Sequence, residues 1–306
     1  MKLGLIGAGR WGKRYIATIN DMSHHQLVHV VSKNPETKSL IPKKCRLSLD
    51  CMSFFNDKDI DGAILAVPPT MHPSLAILSL QHNIPVLIEK PLALNVDDAK
   101  LLHALSLEKK TLAMVGHTHL YSHAYCNLKE IIKPLGRINK IFSCAGNWGP
   151  FRENIPMLWD YAPHDIAMCL DIYSGIPEKI YSRKTTDMRI HKNGESIEID
   201  LTFKDKSNAK IQVSNVLKEK KRYFEVRCDK GTVIYDDQAL VHKLQYNSSR
   251  KTTFDPISLC TEKPLYNLIN IFCKNIENNI RYDTSLDLGV SVVEILAHCQ
   301  SLLNKK

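Results

Sequence analysis

Three glycines close to the start limit the possible folds of this chain more than any other feature. Gly7, Gly9 and Gly12 read G-x-G-x-x-G, set between the apolar run "KLGLI" and an amphipathic stretch that begins near Arg10. The first glycine permits a tight turn, the second lets backbone approach a pyrophosphate, and the third lets a helix pack closely on the strand. An anion held there meets free N–H groups at a helix N-terminus. Alone, the motif is a weak signal that also fits a purely structural turn. The strand-turn-helix setting makes dinucleotide binding the expectation, with Gly7, Ala8, Gly9, Arg10, Trp11 and Gly12 around the phosphates.

Downstream, short apolar runs alternate with longer amphipathic ones: "QLVHVVS", "GAILAVP", "LAILSLQHN", "IPVLIE", "DAKLLHALSLEKK", "TLAMVG". Such alternation marks β-α-β units and therefore a parallel sheet flanked by helices. Asn95, with Asp98 three residues on, is placed to cap the helix that carries Leu101, Leu102 and Leu105. After residue 118 the pattern changes to a helix with Leu128, Ile131 and Ile132. Then come β-rich segments such as "RINKIFSCAG", "ESIEIDLTF" and "YFEVRCD", joined by hairpin-type turns at "KNGE" and "KDKSN". This predicts an antiparallel sheet. Two helices close the chain, the last with Leu286, Val290, Val293 and Leu296 at helical spacing behind Thr284 or Ser285. A length of 306 residues, 44% of them hydrophobic, suits two domains with separate cores and excludes a disordered or fibrous protein. The expected boundaries are 1–118 and 119–306.

The formal charge of +9 suits an anionic partner such as a phosphorylated cofactor or substrate. Nucleic acid is not expected, because the one dense basic run (Lys218, Lys220, Lys221 and Arg222) is short, interrupted by Glu219, and reads as a solvated face. The uncharged stretch from Gly62 to Ile88 is broken by Pro68, Pro69, Pro73 and Pro85, so no membrane span is expected. Nine scattered cysteines without a Cys-x-x-Cys pair read as reduced thiols of a cytoplasmic chain.

At the end of the second strand an NAD-preferring fold would place a carboxylate on the adenosine ribose. Here the chain reads Val31, Ser32, Lys33, Asn34. Nothing there repels a 2′-phosphate, and Ser32 with Lys33 could bind one, so the cofactor is expected to be NAD(P), leaning to NADP(H). The alternative leaves Lys33 as a solvated loop lysine.

Two further clusters carry the chemistry: Glu89-Lys90-Pro91 after the strand "IPVLI", and "LWDYAPHDIAMCL", where Asp160 and His164 share one face of a helix. With the glycine turn, these resemble the Gfo/Idh/MocA family, the glucose-fructose oxidoreductase and inositol dehydrogenase group. The resemblance extends through "AVPPTMHPSLAILSLQHNIPVLIEKPLALNVDDAKLL", "VGHTHLYSHAYCNLKEIIKPLGRINKI" and "TSLDLGVSVVEIL", nearly the whole chain. It implies an α/β protein: a doubly wound Rossmann domain, then an α/β domain with an open, mainly antiparallel sheet, the last helix packing back on the first domain. The implied activity is NAD(P)-dependent oxidoreduction of sugars, cyclitols or nucleotide sugars, in a homodimer or homotetramer. Pro68, Thr70, His72, Glu89 and Lys90 would join the cofactor contacts, and Lys90, Asp160 and His164 would be catalytic.

The reaction itself asks for these residue types. Oxidising a secondary alcohol needs a base for the hydroxyl proton and a cation for the developing alkoxide. His164 suits the first task and Lys90 the second, both expected to face one cleft, while Asp160 could orient the imidazole or bind a neighbouring hydroxyl. Pro91 is expected to follow a cis peptide bond. Ala162, Pro163 and Ala167 depart from the family pattern, which weakens transfer of substrate identity. Asp165 points away from the His164 face and is expected to make a structural hydrogen bond.

Substrate contacts are expected from Arg152, which could pair with a phosphate or carboxylate, and from Trp159 and Tyr161, which with Trp148 could stack on a sugar or pack in the core. The "LWD-x-x-PHD" pattern resembles segments of family members concerned with nucleotide sugars, and with the charge this makes a nucleotide sugar the expected substrate. His117, His119 and His123 have the composition of a zinc site, but their spacing crosses a strand-to-helix junction and no metal is expected; His117 should border the substrate pocket. Competing readings are a non-catalytic NAD(P)-binding sensor and a dehydrogenase of a non-sugar alcohol such as a dihydrodiol.

Overall fold

The computed structural model describes residues 1–151, 155–185, 193–248, 253–257 and 263–305. In the first part of the chain β1 (Lys2–Ile6), β2 (Gln26–Val31), β3 (Arg46–Ser48), β4 (Gly62–Leu65), β5 (Val86–Glu89) and β6 (Ala113–Gly116) alternate with α1 (Arg10–Asn20), α2 (Thr37–Leu40), α3 (Cys51–Phe55), α4 (His72–Gln81) and α5 (Val96–Lys109). The six strands form one parallel sheet in the order β3-β2-β1-β4-β5-β6. Every residue of β4, β5 and β6 is buried. Helices covering both faces explain why these strands read as unbroken apolar runs rather than alternating ones. Asn95 caps α5 as its spacing predicts, its side chain accepting from the Asp98 N–H at 2.8 Å.

The second part holds α6 (His123–Ile132), β7 (Ile138–Trp148), α7 (Met157–Tyr173), β8 (Lys179–Lys184), β9 (Ser196–Thr202), β10 (Asn208–Ser214), β11 (Val216–Cys228), β12 (Gly231–Asp236), β13 (Leu244–Ser248) and β14 (Asp255–Ile257). Their sheet runs β14-β13-β12-β11-β7-β10-β9-β8 and is mainly antiparallel. One pairing corrects the expectation of a hairpin-joined antiparallel sheet: β10 lies parallel to β7. After β7 the chain crosses through α7, builds the meander β8-β9-β10, and returns beside β7 in the same direction. The turn at "KDKSN" is a hairpin, closed by Ser207 donating to the Asp205 carboxylate; "KNGE" lies partly outside the described residues.

Two compact units result: residues 1–118 with Lys263–Val293, and residues 119–262 with 294–306. The first therefore includes α8 (Pro264–Glu277) and the first nine residues of α9 (Ser285–Asn304). Within it, Phe272 and Ile276 of α8 pack where β4 has Gly62, and Gly289 of α9 lets the helix lie against Val115 and Leu92. By length and composition α9 could cross a membrane, but its Leu286, Val292 and Val293 lie in the core of this unit.

Candidate active site

The glycine turn is built as its spacing demands. Gly7 has φ +98°, a conformation that side chains other than glycine rarely adopt, and a β-carbon there would meet the Ala66 carbonyl oxygen at 2.5 Å. A β-carbon at Gly12 would lie 2.0 Å from the Gly7 carbonyl oxygen, so helix and turn touch backbone to backbone. At Gly9 the same construction meets nothing within 4 Å: the space that a side chain would fill is open. Gly9 caps α1 without a side-chain hydrogen bond, and the first turn carries no acidic residue. The N-terminal N–H groups and their partial positive charge therefore face a space that fits a pyrophosphate.

That turn forms one wall of a groove of about 680 Å³, lined by Gly7, Ala8, Gly9, Arg10, Ser32 and Lys33 among the expected residues. Lys13, Asn34, Leu49, Cys51, Val67 and Met71 line it too. The sequence reading missed them; Leu49 and Cys51 follow β3 at the carboxyl end of the sheet, where a ligand crevice belongs. Trp11 and Gly12 do not line the groove. Trp11 stacks under the Arg14 guanidinium at 4.8 Å, and Gly12 lies beneath the turn. Ser32 differs from expectation in detail: its hydroxyl is bonded to Thr37 Oγ1 at 2.9 Å and accepts from the Asn34 N–H at 3.1 Å. It holds the β2 turn, and Lys33 is the exposed cation beside it.

At the end of β5, Glu89 is buried, accepts from Tyr15 Oη at 2.7 Å and from the Lys90 N–H at 3.2 Å, and burial pushes its carboxyl up. Lys90–Pro91 is a cis peptide bond, as expected. The His72 ring is wholly buried, with Nδ1 2.8 Å from the Pro91 carbonyl oxygen and Nε2 3.1 Å from that of Val67. Both side chains are turned inward, where they hold the loops that carry Lys90 and Val67. Pro68 and Thr70 are exposed on the loop that supplies Val67 and Met71 to the groove. His117, at the end of β6, is buried, and desolvation followed by the charge of Lys90 pulls it down to about 3, so its imidazole is neutral.

In the second unit, α7 presents Asp160 and His164 one turn apart, the first half-buried and the second buried. The rings of His164 and His119 meet edge to face, centroids 4.8 Å apart and planes at 80°. His119 Nδ1 lies 3.1 Å from Tyr235 Oη. Asp165 makes the structural contact expected of it: fully buried, it accepts from Ser143 Oγ and pairs with Arg222 at 2.8 Å. Arg222 is thus no part of a solvated face, a correction explained by β11 placing it on the side of Phe224 and Val226, both buried. Trp159 is buried, whereas Trp148 is exposed. The Tyr161 hydroxyl donates to the Gly149 carbonyl at 2.6 Å. Arg152 lies outside the described residues.

Residues 1–117 match the model of an oxidoreductase family with NAD-binding Rossmann fold, Gfo/Idh/MocA. A solved chain from Magnetospirillum magnetotacticum MS-1, provisionally described as an oxidoreductase, is 30% identical over 98% of this chain and 99% of its own, with a TM-score of 0.89. The chain belongs to the Gfo/Idh/MocA oxidoreductase family. Among curated relatives, 4-carboxy-2-hydroxymuconate-6-semialdehyde dehydrogenase from a Sphingobium species is 25% identical over 78% of this chain and 80% of its own. UDP-N-acetylglucosamine 3-dehydrogenase from Acidithiobacillus ferrooxidans shares the fold, at 18% identity and a TM-score of 0.87 over 100% of this chain and 98% of its own. As a member of this family the protein is an oxidoreductase with an NAD(P)-binding Rossmann domain.

Proposed function

We propose that this oxidoreductase interconverts a secondary alcohol and a ketone on a sugar, that the sugar is carried on a nucleotide, and that NADP(H) is the preferred dinucleotide. The observation that carries the cofactor reading is the open space at Gly9, continuous with a groove whose β2 end bears Lys33 and no carboxylate. Gly7, Gly9 and the α1 N-terminus would hold the pyrophosphate, Lys33 the 2′-phosphate, and Lys90 the nicotinamide side; bound there, the dinucleotide supplies the hydride acceptor or donor. His164 takes the hydroxyl proton in oxidation and returns it in reduction, while Lys90 stabilises the developing alkoxide. Neutral His117 beside Lys90 adds no second positive charge at that point. Asp160 binds a neighbouring hydroxyl or orients the imidazole.

A nucleotide sugar is supported by the net charge of +9 and by a fold-sharing relative named for UDP-N-acetylglucosamine. The cytoplasm and a homo-oligomer remain part of this proposal. The test is a thermal-shift panel of NADH, NADPH, UDP-N-acetylglucosamine, UDP-glucose and myo-inositol, since ligand binding raises Tm by mass action. NADPH should raise Tm more than NADH, and Ser32→Asp should reverse that order by placing a carboxylate where the 2′-phosphate binds. Equal or stronger binding of NADH by the wild type contradicts the NADP(H) assignment. A response to myo-inositol and to neither UDP-sugar contradicts the nucleotide-sugar assignment.

A further inference from the structure

Behind His164 the second unit holds a set of side chains that the proposed chemistry does not yet use. His119, just after the turn that follows β6, lies edge to face with the His164 ring at 4.8 Å, and its Nδ1 is 3.1 Å from Tyr235 Oη. Tyr235 is wholly buried on β12, with the Asp237 carboxylate and Ser122 near its hydroxyl. Burial first, then the charge of Asp237, push that hydroxyl up, so it stays protonated and has one hydrogen to give. Asp237 is an anion held by Lys243 at 2.8 Å and can only accept. A tyrosine proton turned towards Asp237 leaves the tyrosine oxygen to accept from His119. This fixes His119 as the Nδ1–H tautomer and fixes its ring plane, much as a carboxylate fixes a ligand histidine from behind.

We propose that His119 is a positioning residue for His164, with Asp237 and Tyr235 setting the His119 ring and His119 setting the ring orientation from which His164 exchanges protons with substrate. The proposal deepens the assignment of His164 as the acid-base group and rests on it for its effect on turnover. Its structural half, the tautomer and the ring contact, stands independently. Edge to face with His164, the His119 ring leaves that imidazole little room to rotate.

The test uses the full-length protein labelled with ¹⁵N-histidine and read by long-range ¹H–¹⁵N correlation at pH 8, with signals assigned by their disappearance in His119→Phe and His164→Ala. In the wild type His119 should show the Nδ1–H pattern. Tyr235→Phe, which keeps the ring and loses only the hydroxyl, should shift His119 towards the Nε2–H form and move the His164 signals. His119 in the Nε2–H form in the wild type, or His164 signals untouched in both Tyr235→Phe and His119→Phe, overturns the proposal. Kinetics with the best substrate of the panel separate it from the acid-base assignment. His119→Phe should lower kcat about tenfold with KM and NADPH affinity within twofold, and should have no further effect in a His164→Ala background. Loss of the same size in both backgrounds makes His119 merely structural. Full turnover by His164→Ala alone removes the acid-base assignment while leaving the NMR result as it stands.

Discussion

At Gly12 a β-carbon would sit 2.0 Å from a backbone oxygen, while at Gly9 it would meet nothing within 4 Å, and the two glycines should answer to alanine in opposite ways. Gly12→Ala must push α1 off the turn and should cost about 2–3 kcal/mol, read by urea unfolding. Gly9→Ala should leave Tm within about 2 °C but lower dinucleotide affinity about tenfold or more, because the methyl occupies the phosphate space. Equal stability of both variants would falsify the packing role of Gly12. A second outcome at this scale concerns acid. His117 falls from its ordinary value near 6.5 to about 3 on folding. The unfolded chain therefore takes up the proton first, and the stability due to neutral burial is complete above about pH 6.5 and lost as pH falls towards 3. His29 and His72 are also lowered, by desolvation first, and add to the same limb. His117→Phe should flatten the decline of Tm between pH 6.5 and 4, measured by calorimetry; a parallel decline contradicts the assignment. Of the individual candidate residues, the glycines, Lys90 and the Asp160/His164 pair stand out in the sequence because they sit in spaced motifs. The inward turn of His72 and Glu89 does not, since whether a polar side chain faces a ligand or a buried carbonyl depends on loops distant in sequence.

At the scale of elements, α7 is fastened to its sheet by one buried ion pair. Asp165 on α7 is fully buried against Arg222 of β11 and Ser143 of β7. Removing one partner leaves an unpaired charge in the interior, so Arg222→Met should cost about 3 kcal/mol in urea unfolding, while Lys221→Met, one residue away and exposed, should cost under about 0.5 kcal/mol. Similar losses in the two variants would show that the pair does not hold the helix. The outcome bears on function because Asp165 adjoins His164, and a loosened α7 displaces the imidazole with it. Helix and strand types were readable where the pattern is strong: unbroken apolar runs for most of the parallel strands, alternation for β12, and an Asn95 cap for α5; the short β3, α2, α3, β13 and β14 carry too few residues for a period to show. The role of Arg222 was hidden by its neighbours, since a basic run suggests solvent unless strand alternation is followed from Phe224 back to position 222.

For the whole molecule, a sequence reading in chain order divides well wherever consecutive elements are neighbours in space, and fails where they are not. The parallel pairing of β7 with β10 joins strands separated by α7, β8 and β9, and no local pattern announces it. The packing of Lys263–Val293 within the first unit likewise joins segments from opposite ends of the chain. What the chain does, by contrast, follows from motifs that survive such rearrangement. The most direct measurement of the central proposal is steady-state kinetics of His164→Ala and Lys90→Ala beside fluorescence titration of each with NADPH. His164→Ala should keep dinucleotide affinity within about twofold and lose roughly 10²- to 10⁴-fold in turnover, the usual contribution of a positioned acid-base group. Lys90→Ala should lose turnover and affinity together, since it removes both a cofactor contact and the cation at the developing alkoxide. Turnover of the His164 variant within a few-fold of wild type, or undiminished NADPH affinity in the Lys90 variant, would contradict the account.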